Sequence, residues 1–160
     1  MAKSAVGSNL LRQDAVVSYT ALIEAATGST QTLFALPAGS IVQDCFVDTV
    51  IPFNDTDGTI TSVTVKVGVS GSTGAFTANV NIFSGTATAG SRASDVPATS
   101  TKRVFSSAGN VIATFTGDAN LGDGSATALE AGLCRISVLY YSLPIAYGAA
   151  NGVQALAATQ

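Results

Sequence analysis

Hydrophobic and polar residues alternate along much of the chain with a period of two, and many of the hydrophobic residues are β-branched. Between residues 41 and 53, the odd-numbered positions hold Ile41, Gln43, Cys45, Val47, Thr49, Ile51 and Phe53. The even-numbered positions hold Val42, Asp44, Phe46, Asp48 and Val50. A cleaner alternation follows, in which Val63, Val65, Val67 and Val69 are separated by Thr64, Lys66 and Gly68. Such alternation is typical of strands with one face packed against a core.

Turn-forming residues separate the alternating segments. Pro37-Ala38-Gly39 precedes the first strand, and residues 54–58 (Asn-Asp-Thr-Asp-Gly) lie between the first and the second, which we interpret as consecutive antiparallel strands. The same reasoning predicts five further strands, over Val16–Ile23, Thr32–Leu36, Ala78–Phe83, Val111–Thr116 and Leu133–Leu143. The last has apolar residues on both faces, so we expect it to be central in its sheet or to face a partner.

Three segments have a less regular pattern. The stretch from Asp14 to Gly28 fits a helix with Asp14 as its N-cap, although its β-branched and aromatic residues favour a strand. A short helical turn near Ala126–Ala131 is an alternative to irregular structure. The segment Ser84–Thr101, rich in Ser, Thr, Ala and Gly, is expected to be a long irregular loop.

Seven or eight short strands separated by Gly, Pro and Asp turns predict an all-β fold, an antiparallel β-sandwich resembling a jelly roll. The chain has 160 residues, enough for one domain with a sizeable core. We assign residues 14–147 to the sandwich. Residues 1–13 and 148–160 show little pattern and are expected to be extended N-terminal and C-terminal arms.

Only 11% of the residues are charged, against roughly 25% in a typical soluble domain. Ser, Thr, Ala and Gly replace the missing charges. Because a surface with so few charges is poorly protected against association, we infer that partners cover much of it, whether copies of the chain, another protein or both. The alternative is a neutral Ser/Thr-rich surface on a free monomer.

The distribution of charge argues against several classes of partner. The net charge is −3 and no basic stripe is present, which argues against nucleic-acid binding. No basic amphipathic segment and no apolar run of about 20 residues indicates a membrane partner. The first residues show no signal-peptide pattern, so we expect synthesis in a cytosol and release by a route other than secretion, such as lysis.

An enzyme is not expected. The chain contains no histidine, which removes Ser-His and Cys-His nucleophile pairs and most transition-metal sites. Tryptophan, the favoured platform for sugar stacking, is absent as well. A hydrolase that uses two carboxylates is the remaining catalytic alternative, since Glu24, Glu130 and eight Asp residues are present.

No cofactor or metal is expected. Two oxygen-rich stretches, residues 55–58 and 118–124, invite a calcium interpretation, but neither has EF-hand spacing, and Asp and Asn also occur in turns because they bond their own backbone. Cys45 and Cys134 form no metal-binding pattern, so we expect two reduced, buried thiols. A disulfide between them is the alternative, because both fall on apolar strand faces.

The only local cluster of positive charge in the sequence combines Arg92 with Lys102 and Arg103. It is either the solvated base of a loop or a contact to an acidic partner surface. Together with the long loop and the arms, it gives our candidate interface residues: Arg92, Asp95, Lys102, Arg103, Tyr147, Asn151, Gln154 and Leu156.

One stretch resembles a known pattern. Phe34-Ala35-Leu36-Pro37-Ala38-Gly39-Ser40-Ile41-Val42 is similar to a Phe-x-Leu-Pro-Ala-Gly-x-x-Val motif that leads into a sandwich strand in small head decoration (cement) proteins of tailed bacteriophages. The closing segment, residues 132–141, is similar to their last strand. The resemblance covers about half of the chain.

The resemblance implies a virion structural protein, a homotrimer that binds the major capsid protein on the outer surface of the head and stabilises the lattice. It would be made in the host cytoplasm. The alternative is a ligand- or carbohydrate-binding sandwich module of a phage tail or fibre. That alternative predicts an exposed aromatic cluster, for which Tyr140, Tyr141 and Tyr147 are the candidates.

Overall fold

A computed structural model describes residues 10–23, 28–93, 104–121 and 129–142. Eight strands run through these ranges, with a single 3-10 turn at Tyr19–Ala21 between the first two. The strands are β1 (Leu10–Ser18), β2 (Gly28–Leu36), β3 (Ser40–Asn54), β4 (Val63–Val69), β5 (Ser72–Asn81), β6 (Ser91–Ala93), β7 (Gly109–Gly117) and β8 (Ala131–Ser142). No helix in the described part of the chain is long and apolar enough to cross a membrane.

The strands form two antiparallel four-stranded sheets. Sheet A has the order β1-β8-β3-β6 and sheet B the order β2-β7-β4-β5. Each strand in the first half of the chain pairs with its counterpart in the second half: β1 with β8, β2 with β7, β3 with β6, and β4 with β5. A chain folded back on itself and then rolled into two sheets has this order, which is that of a jelly roll. The predicted all-β antiparallel sandwich is therefore confirmed.

The core lies between the sheets and follows the alternation in the sequence. The inward side chains of sheet A include Cys45, Val47, Cys134, Ile136 and Val138, and those of sheet B include Val63, Val65, Val67, Val111, Ala113 and Phe115. Packing is close where the sheets meet near Phe53. A Cβ on Gly132 would lie 2.4 Å from the Phe53 ring, and its φ of +146° is a conformation that L side chains rarely adopt. Only glycine fits there.

The strands predicted around residues 41–53, 63–69, 111–116 and 133–143 are present, and β8 is central, between β1 and β3. The interpretation of β3 and β4 as neighbours is wrong, because β3 belongs to sheet A and β4 to sheet B. Residues 55–62 carry the chain from one sheet to the other. The carboxylate of Asp55 organises this crossing by accepting hydrogen bonds from the backbone N–H groups of Asp57, Thr59 and Ile60 at 2.9, 3.0 and 2.8 Å.

The first strand differs from the prediction at both ends. β1 begins at Leu10, so residues 10–13, which the sequence assigned to the N-terminal arm, pair with β8. It ends at Ser18 rather than Ile23, because the chain turns there and buries Leu22 completely. Residues 1–9 and 143–160, which include most of the expected N-terminal arm and all of the expected C-terminal arm, lie outside the described residues. Half of the proposed helical turn near 126–131 lies outside them as well, and its last residue, Ala131, begins β8.

Candidate functional site

The outer face of sheet A, the side that points away from the core, carries most of the described charge. Asp48 lies in the middle of β3, directly opposite Arg92 on β6 and Arg135 on β8. Three neighbouring strands thus place one carboxylate between two guanidinium groups. Each strand holds its charged residue at the outward position of the period-two pattern, next to inward core residues such as Val47 and Ile136.

Both arginines donate hydrogen bonds to Asp48. The Nε of Arg92 lies 2.5 Å from Oδ1 and its Nη2 lies 3.0 Å from Oδ2. The Nε and Nη2 of Arg135 lie 3.1 and 2.8 Å from Oδ2. The Asp48 side chain is only 10% exposed, whereas those of Arg92 and Arg135 are 49% and 42% exposed. One nearly buried carboxylate therefore anchors two half-exposed cations.

The arrangement shifts the acid-base behaviour of Asp48. The hydrogen bond from Arg92 lowers the pKa of this carboxyl to about 2, with a further contribution from Arg135, while partial burial opposes the shift. Asp48 stays ionised at any pH above that range. Its single negative charge cannot neutralise both arginines, so the cluster keeps one net positive charge.

Arg92 also contacts an aromatic ring. Its guanidinium carbon lies 5.0 Å from the centroid of Phe46, two residues before Asp48 on the same face. Beside the cluster runs an open groove of about 470 Å³, lined by Asp48, Thr49, Val50, Gly90, Arg92 and Arg135. It could hold a carboxylate of a partner next to an apolar side chain.

A second ion pair lies further along the same face. The Nε of Arg12 is 2.8 Å from Oδ1 of Asp14, and its Nη2 donates to Oγ of Ser137 at 3.0 Å. The hydrogen bond from Arg12, followed by one with Ser137, lowers the pKa of Asp14. Both side chains of this pair are about two-fifths exposed.

Exposed apolar side chains lie on either side of the ion pairs. Leu10, Val16, Val50 and Ile51 are exposed by 51%, 62%, 42% and 49%. The outward residues of β8 add three partly exposed side chains, Leu133, Leu139 and Tyr141. Unpartnered solvent-facing sheet surfaces are normally polar. Val50, Ile51 and Leu133 adjoin one another in the β3–β8 register, and an exposed apolar group of this kind marks an interaction site.

The outer face of sheet B has the opposite chemistry. Its outward positions are mainly Thr30, Thr32, Thr64, Thr114 and Thr116. The hydroxyls of Thr30 and Thr114 lie 3.2 Å apart, and Thr64 Oγ1 donates to the carbonyl of Thr116 at 3.3 Å. Lys66 is the only charged residue on the described strands of this sheet.

Of the candidate interface residues, the structure describes one. Arg92 lies on β6 in the cluster with Asp48. The other seven, Asp95, Lys102, Arg103, Tyr147, Asn151, Gln154 and Leu156, lie outside the described residues. The sequence reasoning missed Asp48 and Arg135 as partners of Arg92, although each is a charged residue in the interior of a mostly apolar strand, which is the signal that could have singled them out.

The alternative chemistries have no assembled site in the described ranges. No group of three or more potential metal ligands is found there. Asp118 bonds the backbone N–H groups of Thr61 and Ser62 and the Thr61 hydroxyl, and the Thr61 hydroxyl bond is the largest cause of its lowered pKa. Tyr140 and Tyr141 are successive residues of β8, so they point to opposite faces and cannot form one stacking platform.

The two cysteines are free and buried. Cys134 pairs with Thr49 in the β3–β8 register, four residues along β3 from Cys45, which separates the two Cα positions by about 13 Å. A disulfide requires a Cα separation below about 7 Å, so a bridge between them is excluded in this fold. Burial raises the pKa of both thiols to about 12, which keeps them protonated.

No family model matches the sequence, and no curated protein is similar to it. Among solved structures, the fold is similar to that of a chain in the capsid asymmetric unit of cyanophage Pam1. The TM-score is 0.58 at 22% sequence identity, over 89% of this chain and 91% of that one. A chain in the acid-stable capsid of Helicobacter pylori bacteriophage KHP30 gives a TM-score of 0.37 at 14% identity, over 82% and 93% of the two chains. The Pam1 likeness establishes a shared jelly-roll fold.

Proposed function

We propose that this protein is a capsid decoration (cement) protein, which binds the outer surface of a bacteriophage head and stabilises the capsid lattice. The observation that carries the proposal is the group of exposed apolar side chains on the outer face of sheet A, in a fold shared with a chain of the cyanophage Pam1 capsid. In this role the protein is a structural component of the virion, made in the host cytoplasm, and its partner is the major capsid protein. It requires no enzyme activity, cofactor, nucleic acid or membrane.

The chemistry of the surface suits repeated binding on a lattice. An apolar face loses little affinity when the salt concentration changes, whereas contacts between exposed charges are screened. Each copy needs only modest affinity, because neighbouring contacts act together. The outer face of sheet A supplies apolar area, and the Asp48 cluster supplies one net positive charge for an acidic group of the capsid.

The chain termini extend the proposed contact. Leu10 pairs with Tyr141 in the β1–β8 register, so the start of β1 and the end of β8 lie at the same corner of sheet A. We propose that the arms, with Tyr147, Asn151, Gln154 and Leu156, contact neighbouring subunits there. Asp95, Lys102 and Arg103, which follow β6 in the sequence, would contribute further contacts. A homotrimer, as the resemblance implies, would bring three such surfaces to one position on the lattice.

The direct test is binding to undecorated heads of the phage that encodes the protein, measured by co-sedimentation. The variant Val50→Asp/Ile51→Asp places two charges on the outer face of sheet A, where both side chains are exposed. We expect it to fold normally and to lose head binding at least ten-fold. The matched control is Thr32→Asp/Thr116→Asp, which places the same charges on exposed positions of sheet B.

Equal loss by both variants would refute the assignment of the capsid contact to sheet A. No binding by the parent protein would refute the decoration function itself, and a glycan array would then test the ligand-binding module of a tail or fibre.

A further inference from the structure

β1 is an open edge of sheet A. It pairs with β8 through nine consecutive residues without a bulge, from Leu10 opposite Tyr141 to Ser18 opposite Leu133. In the described part of the chain no strand pairs with its other side. β1 contains neither proline nor glycine, and the opposite edge of the sheet, β6, has only three residues. A long, regular edge strand is a template for another strand.

Several side chains of β1 are exposed and apolar, which is expected of an edge strand that pairs with a partner. Six large hydrophobic side chains are exposed among the described residues, and three of them, Leu10, Leu11 and Val16, lie on this strand. The only charged residues of β1 are Arg12 and Asp14. Natural edge strands commonly avoid pairing with an unpaired inward charge or a proline, and β1 has neither.

The sequence of β1 complements its own reverse. In an antiparallel pairing of two copies centred on Gln13, Arg12 lies opposite the partner's Asp14, and Leu10 lies opposite the partner's Val16. On the other side of the sheet, Leu11 lies opposite the partner's Ala15, and Gln13 faces its own equivalent on the axis. Opposite charges and pairs of apolar residues thus face each other on either side of the axis. Centring the pairing on Arg12 or on Asp14 instead would place like charges directly opposite each other, which destabilises a sheet.

We propose that β1 is a homotypic contact, in which the β1 strands of two copies of this chain pair antiparallel across a two-fold axis at Gln13. The two four-stranded A sheets join into one sheet of eight strands. The charge pattern selects a second copy as the occupant, because β1 complements its own reversed sequence.

The first test is cysteine cross-linking of the full chain. Gln13→Cys places a thiol on the proposed axis, where its partner's Cα lies about 5 Å away, within disulfide range. Ala15→Cys is the matched control, on the same strand and the same face, but its equivalent lies four residues along the pair, about 13 Å away. The native cysteines are buried and do not compete. Under mild oxidation, we expect Gln13→Cys to form a covalent dimer of two 16.0 kDa chains at least ten times faster than Ala15→Cys.

The second test uses charge reversal in the Gln13→Cys background. An Arg12→Asp copy carries two acidic residues at positions 12 and 14, and an Asp14→Arg copy carries two basic ones. Each variant alone should cross-link at least ten times more slowly than the parent. A mixture of the two, distinguished by a size tag, should restore cross-linking as heterodimers.

This mixture leaves the intra-chain pair of Arg12 and Asp14 broken in both copies, so its rescue cannot come from repair of the monomer. Equal rates for Gln13→Cys and Ala15→Cys, or a mixture no faster than the single variants, would overturn the proposal. Head binding by the parent protein would stand in either case, because it is measured separately.

Discussion

The outer faces of the two sheets have the same period-two construction but opposite chemistry. The outer face of sheet B consists mainly of threonines, whose hydroxyls form hydrogen bonds with one another or with the backbone, as in the pair Thr30–Thr114. The polar groups of such a face have hydrogen-bond partners when the face is exposed to water. The outer face of sheet A combines exposed Val16, Val50 and Ile51 with charges that are bonded within the face, as Asp48 is. It therefore gains more than sheet B does when a partner removes it from water.

The difference separates two ways of building a sheet surface. On sheet B, hydroxyls take the place of charges. On sheet A, the charges are grouped and bonded to one another, and the apolar residues on either side of them stay accessible. A protein with a uniform Ser/Thr surface would show the first pattern on both sides. The contrast is the reason to place assembly contacts on sheet A, and the predictions below test it.

The largest effect is expected from Asp48→Ala. Removing the nearly buried carboxylate leaves Arg92 and Arg135 facing each other without a counter-ion, although both can turn towards water. We expect the free energy of unfolding to fall by about 2–3 kcal/mol, measured by urea denaturation. Asp14→Ala is the control, since it breaks an exposed ion pair on the same face and should cost less than about 1 kcal/mol. Equal losses would mean that Asp48 is not the anchor of this face.

A smaller effect should appear in acid. The pKa of Asp48 is about 2 in the folded protein, below the roughly 3.9 of an unfolded chain. A depressed pKa stabilises the folded state above the unfolded value, and this stabilisation is lost as the pH falls from about 4 through about 2. Urea midpoints at pH 5, 3 and 2 should therefore fall more steeply for the parent than for Asp48→Asn. Parallel curves would contradict the assignment, while the lowered pKa values of Asp14 and Asp118 leave some slope in both.

The sequence predicts the strands that depend on local contacts with the core, and it misses features that depend on contacts between residues far apart in the chain. Alternation around Val63 and Val111 predicts β4 and β7, because each inward residue meets the core locally. β5 is longer than predicted, since Ala75, Phe76 and Thr77 are buried in succession and break the alternation. β6 was missed because its pairing is held by Arg92 and Asp48, which are 44 residues apart.

The candidate site divides in the same way. Arg92 is predicted from the sequence as part of a positive cluster, but the sequence groups it with Lys102 and Arg103, its neighbours along the chain. The structure groups it with Asp48 and Arg135, its neighbours across the sheet. Which charges meet depends on strand order and register, and these follow from the rolling of the whole chain into two sheets. No local pattern contains that information.

The smallest effect on stability is expected when one threonine of sheet B is replaced by valine, or one valine of sheet A by threonine. Thr114→Val on sheet B removes a half-buried hydroxyl and its contact to Thr30, and Val50→Thr on sheet A is the reverse change at an exposed position. Each should change the free energy of unfolding by no more than about 0.5 kcal/mol, because both side chains suit a strand and neither fills the core.

The effects of these two substitutions on association should differ. Val50→Thr should weaken binding to undecorated heads several-fold in co-sedimentation, since it removes apolar area from the proposed contact, whereas Thr114→Val should bind as the parent does. Weaker binding by the sheet B variant alone would place the capsid contact on the outer face of sheet B and contradict its assignment to sheet A.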